Sequence, residues 1–372
     1  MKTKTITLII VLILIAGAIY YFESTKAKAI ETQAQETKSG ISNEERKSSY
    51  KDKLYEIAPE LKGIVGYINT DENIRISNLK GKVVLIDFWT YSCINCIRTL
   101  PYLTEWDKKY RDKGLVIIGV HSPEFEFEKD YSNVKAAVEK YNIKYPVVQD
   151  NNKATWKAYN NRFWPRKYLI DSDGYIRYDH IGEGAYIETE LKIQELLTEM
   201  GANTEDTKTV EEESQERKKT TPELYAGFDY SLPREQNIGN EGGLQPRRIF
   251  DYILPEEIKE DTIYLEGEWQ SNSDNLQFIG SEKKGSIILK YVAKSVNIVA
   301  SSINPQPIEV YLDGDYIKKE RAGSDVEFEG EKAFVRISAP KLYNLVNGDY
   351  GEHQLLLKIS KKEFSFNSLT FG

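Results

Sequence analysis

The stretch Val83–Tyr102, VVLIDFWTYSCINCIRTLPY, decides how this chain is read, because it holds both cysteines of the 372-residue sequence. Val83, Val84, Leu85 and Ile86 make an apolar, largely β-branched run of the kind found in a strand buried on both faces. After Thr90–Ser92, apolar residues recur every three to four positions at Ile97, Leu100 and Leu103, which predicts a helix. Strand, turn and helix together put Cys93 and Cys96 at a helix start. Backbone N–H groups there lack intrahelical partners and the helix dipole is positive, so both favour a thiolate. Cys93, the more exposed of the two, is the expected nucleophile. Cys96, one turn later, is placed to attack a mixed disulfide on Cys93.

Other uses of a cysteine pair fit less well. Structural zinc needs four ligands, and beside this one pair stand only His121, His180 and His353, scattered along the chain. A purely structural disulfide across so short a loop would constrain the unfolded chain very little. Haem attachment requires His directly after the second cysteine, where Ile97 stands. For a peroxidatic cysteine, Thr90 with Arg98 is a thin basis.

Outward from this stretch, the chain divides by composition. Residues 1–22 read as a cytoplasmic tip and transmembrane anchor: two lysines, then an apolar run from Thr5 to Phe22 that as a helix spans about 27 Å, near the hydrocarbon thickness of a bilayer. The basic start and the terminal Tyr20, Tyr21 and Phe22 predict a single pass with the body on the extracytoplasmic side. A cleaved signal peptide ending near Ala27 or Ala29 is the alternative. Residues 23–49 are polar and read as a flexible stalk. A net charge of −8 supplies no basic stripe for nucleic acid.

Residues 50–200 alternate strand and helix patterns, as expected of an α/β domain with a central mixed sheet. Short alternations around Ile64–Ile68 and Ile74–Ile76 suggest an N-terminal hairpin. A strand follows at Leu115–Val120, a helix at Asn133–Tyr141, a hairpin about Asp171–Gly174 and a final helix through Ile193, Leu196, Leu197 and Met200. Pro101 falls inside the cysteine-bearing helix and predicts a kink. Residues 201–221 are almost wholly polar and read as a charged linker. From 222 to 372 the period is two, with turn signals at Asp313-Gly314 and Asn347-Gly348, which predicts an all-β sandwich. The linker between two unlike patterns predicts two independently folding domains.

The strings DFWTYSCINCIRTLPYL, GVHSPEFEFEKD, YPVVQDNNKATW, FWPRKYLIDSDG and HIGEGAYIETE, over about Ala58–Met200, resemble the extracytoplasmic thioredoxin-like region of DipZ proteins, within the TlpA/ResA-like thiol-disulfide oxidoreductases. From TPELYAGF (Thr221–Phe228) to SLTFG (Ser368–Gly372), the chain is similar to the jelly-roll-like, carbohydrate-module-like domain of those proteins. The resemblance implies exchange of the Cys93–Cys96 dithiol or disulfide with protein cysteines, with no metal and no organic cofactor, and with reduction as the favoured direction, in cytochrome c biogenesis. It implies Cys93 as attacking and Cys96 as resolving thiol, Asp87 as a buried acid taking the Cys96 proton, Trp89 as the aromatic shielding the site, and Trp164-Pro165 as a cis-proline loop whose backbone pairs with substrate. The lysine that thioredoxins set near the buried acid has no counterpart in Leu115–Val120, LVIIGV. The multi-helix membrane domain of DipZ is also without a counterpart, so a separate CcdA-like electron donor is implied. Two rival functions stay open: a carbohydrate- or protein-binding role of the C-terminal domain, with a glycan as its ligand and the first domain as spacer, and a copper chaperone using Cys93, Cys96 and His121.

Overall fold

In the computed structural model, residues 50–205, 207–211, 218–280 and 284–372 are described. The expected anchor at 1–22 and stalk at 23–49 lie outside them. No helix among the described residues is long and apolar enough to cross a membrane. Residues 58–372 form one unit.

The first half of this unit is built on a six-stranded sheet. Its strands are β1 (Gly66–Ile68), β2 (Val83–Trp89), β3 (Leu115–His121), β4 (Val147–Gln149), β5 (Arg166–Ile170) and β6 (Ile176–Ile181), in the order β1-β4-β3-β2-β5-β6. The pairs β2–β3 and β3–β4 are parallel; β1–β4, β2–β5 and β5–β6 are antiparallel. The helices are α1 (Ile94–Tyr110), α2 (Tyr131–Lys140), α3 (Ala154–Ala158) and α4 (Tyr186–Glu199). This is a thioredoxin-like arrangement.

Every residue of β2 is buried, which explains its unbroken apolar run. Successive side chains point to opposite faces. Val83, Leu85 and Trp89 therefore share one core with Leu100, Leu103 and Trp106 of α1 and Ile193, Leu196 and Leu197 of α4. Val84, Ile86 and Phe88 join Trp156, Tyr159 and Tyr168 in the other. By the same alternation Asp87 belongs to the face under α1.

The expected N-terminal hairpin is replaced by a long-range pairing. β1 joins β4, with Tyr67 opposite Val148, and Ile76–Leu79 is a short 3-10 turn held by Glu60, whose Oε1 accepts from Ile76 N at 2.7 Å. An apolar alternation shows that a segment can be a strand but does not choose its partner. The helix α1 runs through Pro101 and remains one element of 17 residues.

The segment after α4 is bound to the first half. Val210 N donates to Glu190 Oε2 at 2.6 Å, and Gln194 Nε2 donates to Thr207 O at 2.9 Å. Beyond it come β7 (Leu224–Tyr225), a turn of helix α5 (Phe228–Ser231), and ten further strands: β8 (Ile249–Tyr252), β9 (Thr262–Ser271), β10 (Leu276–Phe278), β11 (Gly285–Ser302), β12 (Gln306–Leu312), β13 (Asp315–Tyr316), β14 (Val326–Glu329), β15 (Lys332–Ile337), β16 (Lys341–Ile359) and β17 (Phe364–Phe371). Nine of them make one path, β14-β15-β12-β16-β11-β17-β10-β9-β8, and β13 and β7 attach to its sides. The long strands β11 and β16 pair from Gly285–Ile359 to Ala300–Lys341 through bulges that bend both. One apolar cluster, with Trp269, Phe278, Phe364 and Phe366 at its aromatic centre, fills this β-rich half.

Candidate thiol site

Cys93 caps α1. Its Sγ accepts from Cys96 N at 3.2 Å, and Cys93 O accepts from Ile97 N, so the thiol sulfur takes one of the first-turn donors that α1 leaves unpaired. Neither cysteine is in a disulfide; Cys93 is half-buried and Cys96 is 1% exposed. Burial pushes the Cys96 thiol well above its ordinary pKa, and the adjacent Cys93 and Asp87 push the same way. The two sulfurs are thus unlike: one reaches solvent and one is kept protonated by its surroundings.

Asp87 sits six residues before Cys93, within β2, and is 1% exposed. Burial raises its carboxyl to about 7, and Lys167 acts in the opposite sense. Asp87 Oδ1 is buried without a hydrogen-bond partner. A carboxyl titrating near neutrality beneath a buried thiol is suited to general-base work.

Lys167 was not legible as a site residue. It is the direct cross-strand partner of Asp87 on β5, two positions after Pro165, and is also 1% exposed. Its Nζ donates to Gly182 O at 3.3 Å and lies over the Tyr186 ring at 5.6 Å. The position beside Asp87 on β3 is Gly119, where a Cβ would stand 3.0 Å from Trp89 Nε1 and leave no room for a long side chain. The cation that LVIIGV lacks therefore comes from the other flanking strand. A charged residue at an inward position of the strand pattern RKYLI was the available signal, and only the register gives it a partner.

The remaining predicted residues separate. The Trp164–Pro165 peptide is cis, and Pro165 O accepts from Gly182 N at 2.8 Å. Trp164 Nε1 donates to Ser122 O at 2.9 Å, and its ring lies against Trp156 at 4.2 Å. Trp89, expected to shield the site at its surface, is instead fully buried, edge-on to His121 at 5.3 Å, because its position on β2 points it into the core under α1. His121 is fully buried, and its Nε2 lies 3.3 Å from Thr90 Oγ1; burial lowers its pKa to about 3. His180 stands half-buried on β6 opposite Lys167, and His353 is in the β-rich half beside Asp313, away from the thiols. Among the described residues no three His, Cys, Asp or Glu side chains form a metal-binding group.

Glu128 is a second residue that sequence reading missed. Fully buried, it accepts from Ser92 Oγ at 2.5 Å through Oε1, and from Glu124 N and Phe125 N at 2.5 and 2.9 Å through Oε2. It thereby ties the loop after β3 to the residue just before Cys93.

A half-exposed thiol capping a helix, a buried thiol one turn on and a buried acid stand together on a thioredoxin-like fold, an arrangement suited to dithiol exchange. Family models agree in both halves: residues 58–193 match the Redoxin family, and residues 221–372 match the family described as the thioredoxin-like C-terminal domain. The protein DipZ of Mycobacterium tuberculosis is 40% identical over 248 residues, 65% of this chain and 34% of that protein. Thiol-disulfide oxidoreductase YkuV of Bacillus subtilis is 30% identical, over 40% of this chain and 98% of its own length. Thiol-disulfide oxidoreductase ResA of Bacillus cereus is 33% identical, over 34% of this chain and 69% of its own. The chain belongs to the thioredoxin-like thiol-disulfide oxidoreductases, on the DipZ-like side of that family. It spans about a third of the length of the DipZ proteins it matches.

Proposed function

We propose that this chain reduces disulfides of other proteins by dithiol exchange, and that it does so on the extracytoplasmic side of a membrane, anchored through residues 5–22. The observation that carries the chemistry is the inequality of the two thiols above Asp87: Cys93 half-exposed at the helix cap, Cys96 buried. In the reducing direction, the Cys93 thiolate attacks one sulfur of a client disulfide. A Cys93–client bond forms, the client S–S bond breaks, and the departing client thiolate takes a proton from solvent. Cys96 then gives its proton to Asp87 and attacks Cys93 Sγ, which breaks the mixed disulfide and releases the second client thiolate. The client gains two electrons and the pair becomes the Cys93–Cys96 disulfide. No organic cofactor or metal enters these steps. Two electrons must then return from a separate donor, for which a CcdA-like membrane protein is our candidate.

The Trp164–Pro165 backbone is proposed to hold the client chain beside Cys93. Residues 50–200 and 222–372 are proposed as the two domains, with 201–221 between them. The second is read as a jelly-roll-like sandwich that binds a glycan or a protein surface. Direction is tested by equilibrating the full chain with glutathione or dithiothreitol buffers. A Cys93–Cys96 potential near −270 mV supports a reductase and one near −120 mV makes the chain an oxidant. Failure of the full chain to reduce insulin, with a Cys93→Ala control, would remove the exchange reading itself.

A further inference from the structure

The β-rich half does not merely follow the thiol domain; it is hydrogen-bonded to the active-site loop by two routes. In the first, Tyr91, two residues before Cys93, stacks on His121 at 5.7 Å and donates its hydroxyl to Pro340 O at 3.2 Å, a residue of the β15–β16 turn. The second is longer and wholly polar. Ser92 donates to Glu128, whose other oxygen accepts from Glu124 N and Phe125 N. Glu124 Oε1 then meets Tyr225 Oη at 2.8 Å, and the same hydroxyl meets Glu223 Oε2 at 3.1 Å. Tyr230 Oη donates to Glu124 O, and the Phe125 ring packs on the Tyr225 and Tyr230 rings.

The middle of this chain has a stoichiometric consequence. One tyrosine hydroxyl carries one hydrogen and can donate to only one of two carboxyls, so the second contact needs a protonated acid that donates to the phenol oxygen. Glu124 and Glu223 therefore share a proton through Tyr225. Burial raising both carboxyls, Glu124 to about 8, agrees with that. The shared proton leaves Glu124 and Glu223 with one negative charge between them instead of two, and each carboxyl of the chain is spent on hydrogen bonds.

We propose that the β-rich half positions the attacking thiol through the chain Ser92–Glu128–Glu124–Tyr225–Glu223, with Glu128 and Tyr225 as positioning residues that hold Thr90–Ser92 and hence Cys93 at the helix cap. The proposal rests on Cys93 being the attacking thiol. Releasing the clamp lets the loop before α1 move, and Cys93 Sγ then spends less time against Cys96 N–H, the donor that stabilises its anion.

The test is iodoacetamide alkylation of Cys93 across pH in the full chain carrying Cys96→Ala, so that one thiol is read. Tyr225→Phe keeps the ring packing and removes the shared hydrogen bond; it should slow alkylation at pH 7 by threefold or more. Glu128→Ala should slow it tenfold or more. Glu128→Gln should recover to within threefold of the parent, since the amide oxygen still accepts from the two backbone N–H groups while its NH2 donates to Ser92 Oγ. A change of less than threefold in Tyr225→Phe overturns the proposal, as does a Glu128→Gln variant as slow as Glu128→Ala. Should Glu128→Ala not fold, Tyr225→Phe decides alone. If Cys93 is inert in the parent, the exchange reading falls and takes this one with it; if Cys93 reacts and Tyr225→Phe does not change it, only this proposal falls.

Discussion

Asp87 and Lys167 face each other across the β2–β5 ladder, each 1% exposed, on the side of the sheet covered by the cysteine-bearing helix. A carboxyl alone in that place would be held protonated by desolvation, and a cation across the ladder brings it back toward neutrality. If Asp87 is the base for the Cys96 proton, as proposed, Lys167 is the residue that sets the pH range in which it can act.

Removing the cation tests this. In Lys167→Met the Asp87 carboxyl climbs further above about 7, so less of it is ionised at neutral pH. A rise of about one pH unit leaves roughly a tenth ionised at pH 7 where the parent has about half, and decay of the Cys93 mixed disulfide slows about fivefold. The two rates converge above about pH 9, since Asp87 is then ionised in both. Stopped-flow decay at several pH values reads the shift. A profile that does not move would show that Lys167 is a structural partner of Gly182 only.

Asp87→Asn should slow the same step by roughly 10²-fold at pH 7 while initial attack by Cys93 stays near the parent rate. It also changes stability in a pH-dependent way. Between about pH 4 and 7 the unfolded carboxyl has lost its proton while the folded one keeps it, so Asp87 lowers stability as pH rises through that window. The variant should match the parent near pH 4 and gain on it up to a plateau above pH 7. The ceiling is roughly 4 kcal/mol, reduced by the Lys167 charge left facing an amide. Denaturant melts at pH 4 and pH 8 give the difference; a variant less stable than the parent at pH 8 would make Asp87 a structural hydrogen-bonding residue.

How far the sequence carried this site depends on the range of each interaction. Cys93, Cys96 and Asp87 lie within ten residues on one strand, turn and helix; local periodicity was enough to place the two cysteines, and the family resemblance pointed to Asp87. Lys167 is 80 positions from Asp87 and Glu128 is 36 from Ser92; their roles come from strand register and from a loop folding back, which no local pattern encodes. Trp89 shows the converse. Its place beside the cysteines was legible, but strand alternation turned it into the core, away from the substrate face. In the β-rich half the two-residue period gave strands, and the bulged pairing of β11 with β16 that bends the sheet was not readable from it.

Cys96→Ala should trap client proteins as mixed disulfides on Cys93, because the thiol that would release them is gone. Cys93→Ala should trap none, since Cys96 is 1% exposed and its thiol is pushed well above its ordinary pKa. Non-reducing gels of both variants read the difference. Equal trapping by Cys93→Ala would reverse the assigned roles.

The last test uses His121, whose pH dependence has the opposite sign to that of Asp87. The ring is fully buried, stacked on Tyr91 and edge-on to Trp89, and its Nδ1 has no hydrogen-bond partner. Its pKa is lowered to about 3, against about 6.5 in an unfolded chain. As pH falls below 6.5 the unfolded state takes up a proton that the folded state refuses, so the stability that His121 leaves intact at neutral pH is lost progressively toward pH 3. His121→Phe keeps an aromatic ring between Tyr91 and Trp89 and abolishes this proton uptake. At pH 7 the variant should be about 1 kcal/mol less stable, because Thr90 Oγ1 loses its contact with Nε2 at 3.3 Å. Each pH unit below 6.5 then favours the variant by up to about 1.4 kcal/mol, and the order of stabilities should reverse before pH 5. Melts of parent and variant at pH 7 and pH 4.5 decide the matter: the same order at both would mean that His121 takes up its proton in the folded protein, and that a path for solvent or a counter-charge reaches it beneath Tyr91.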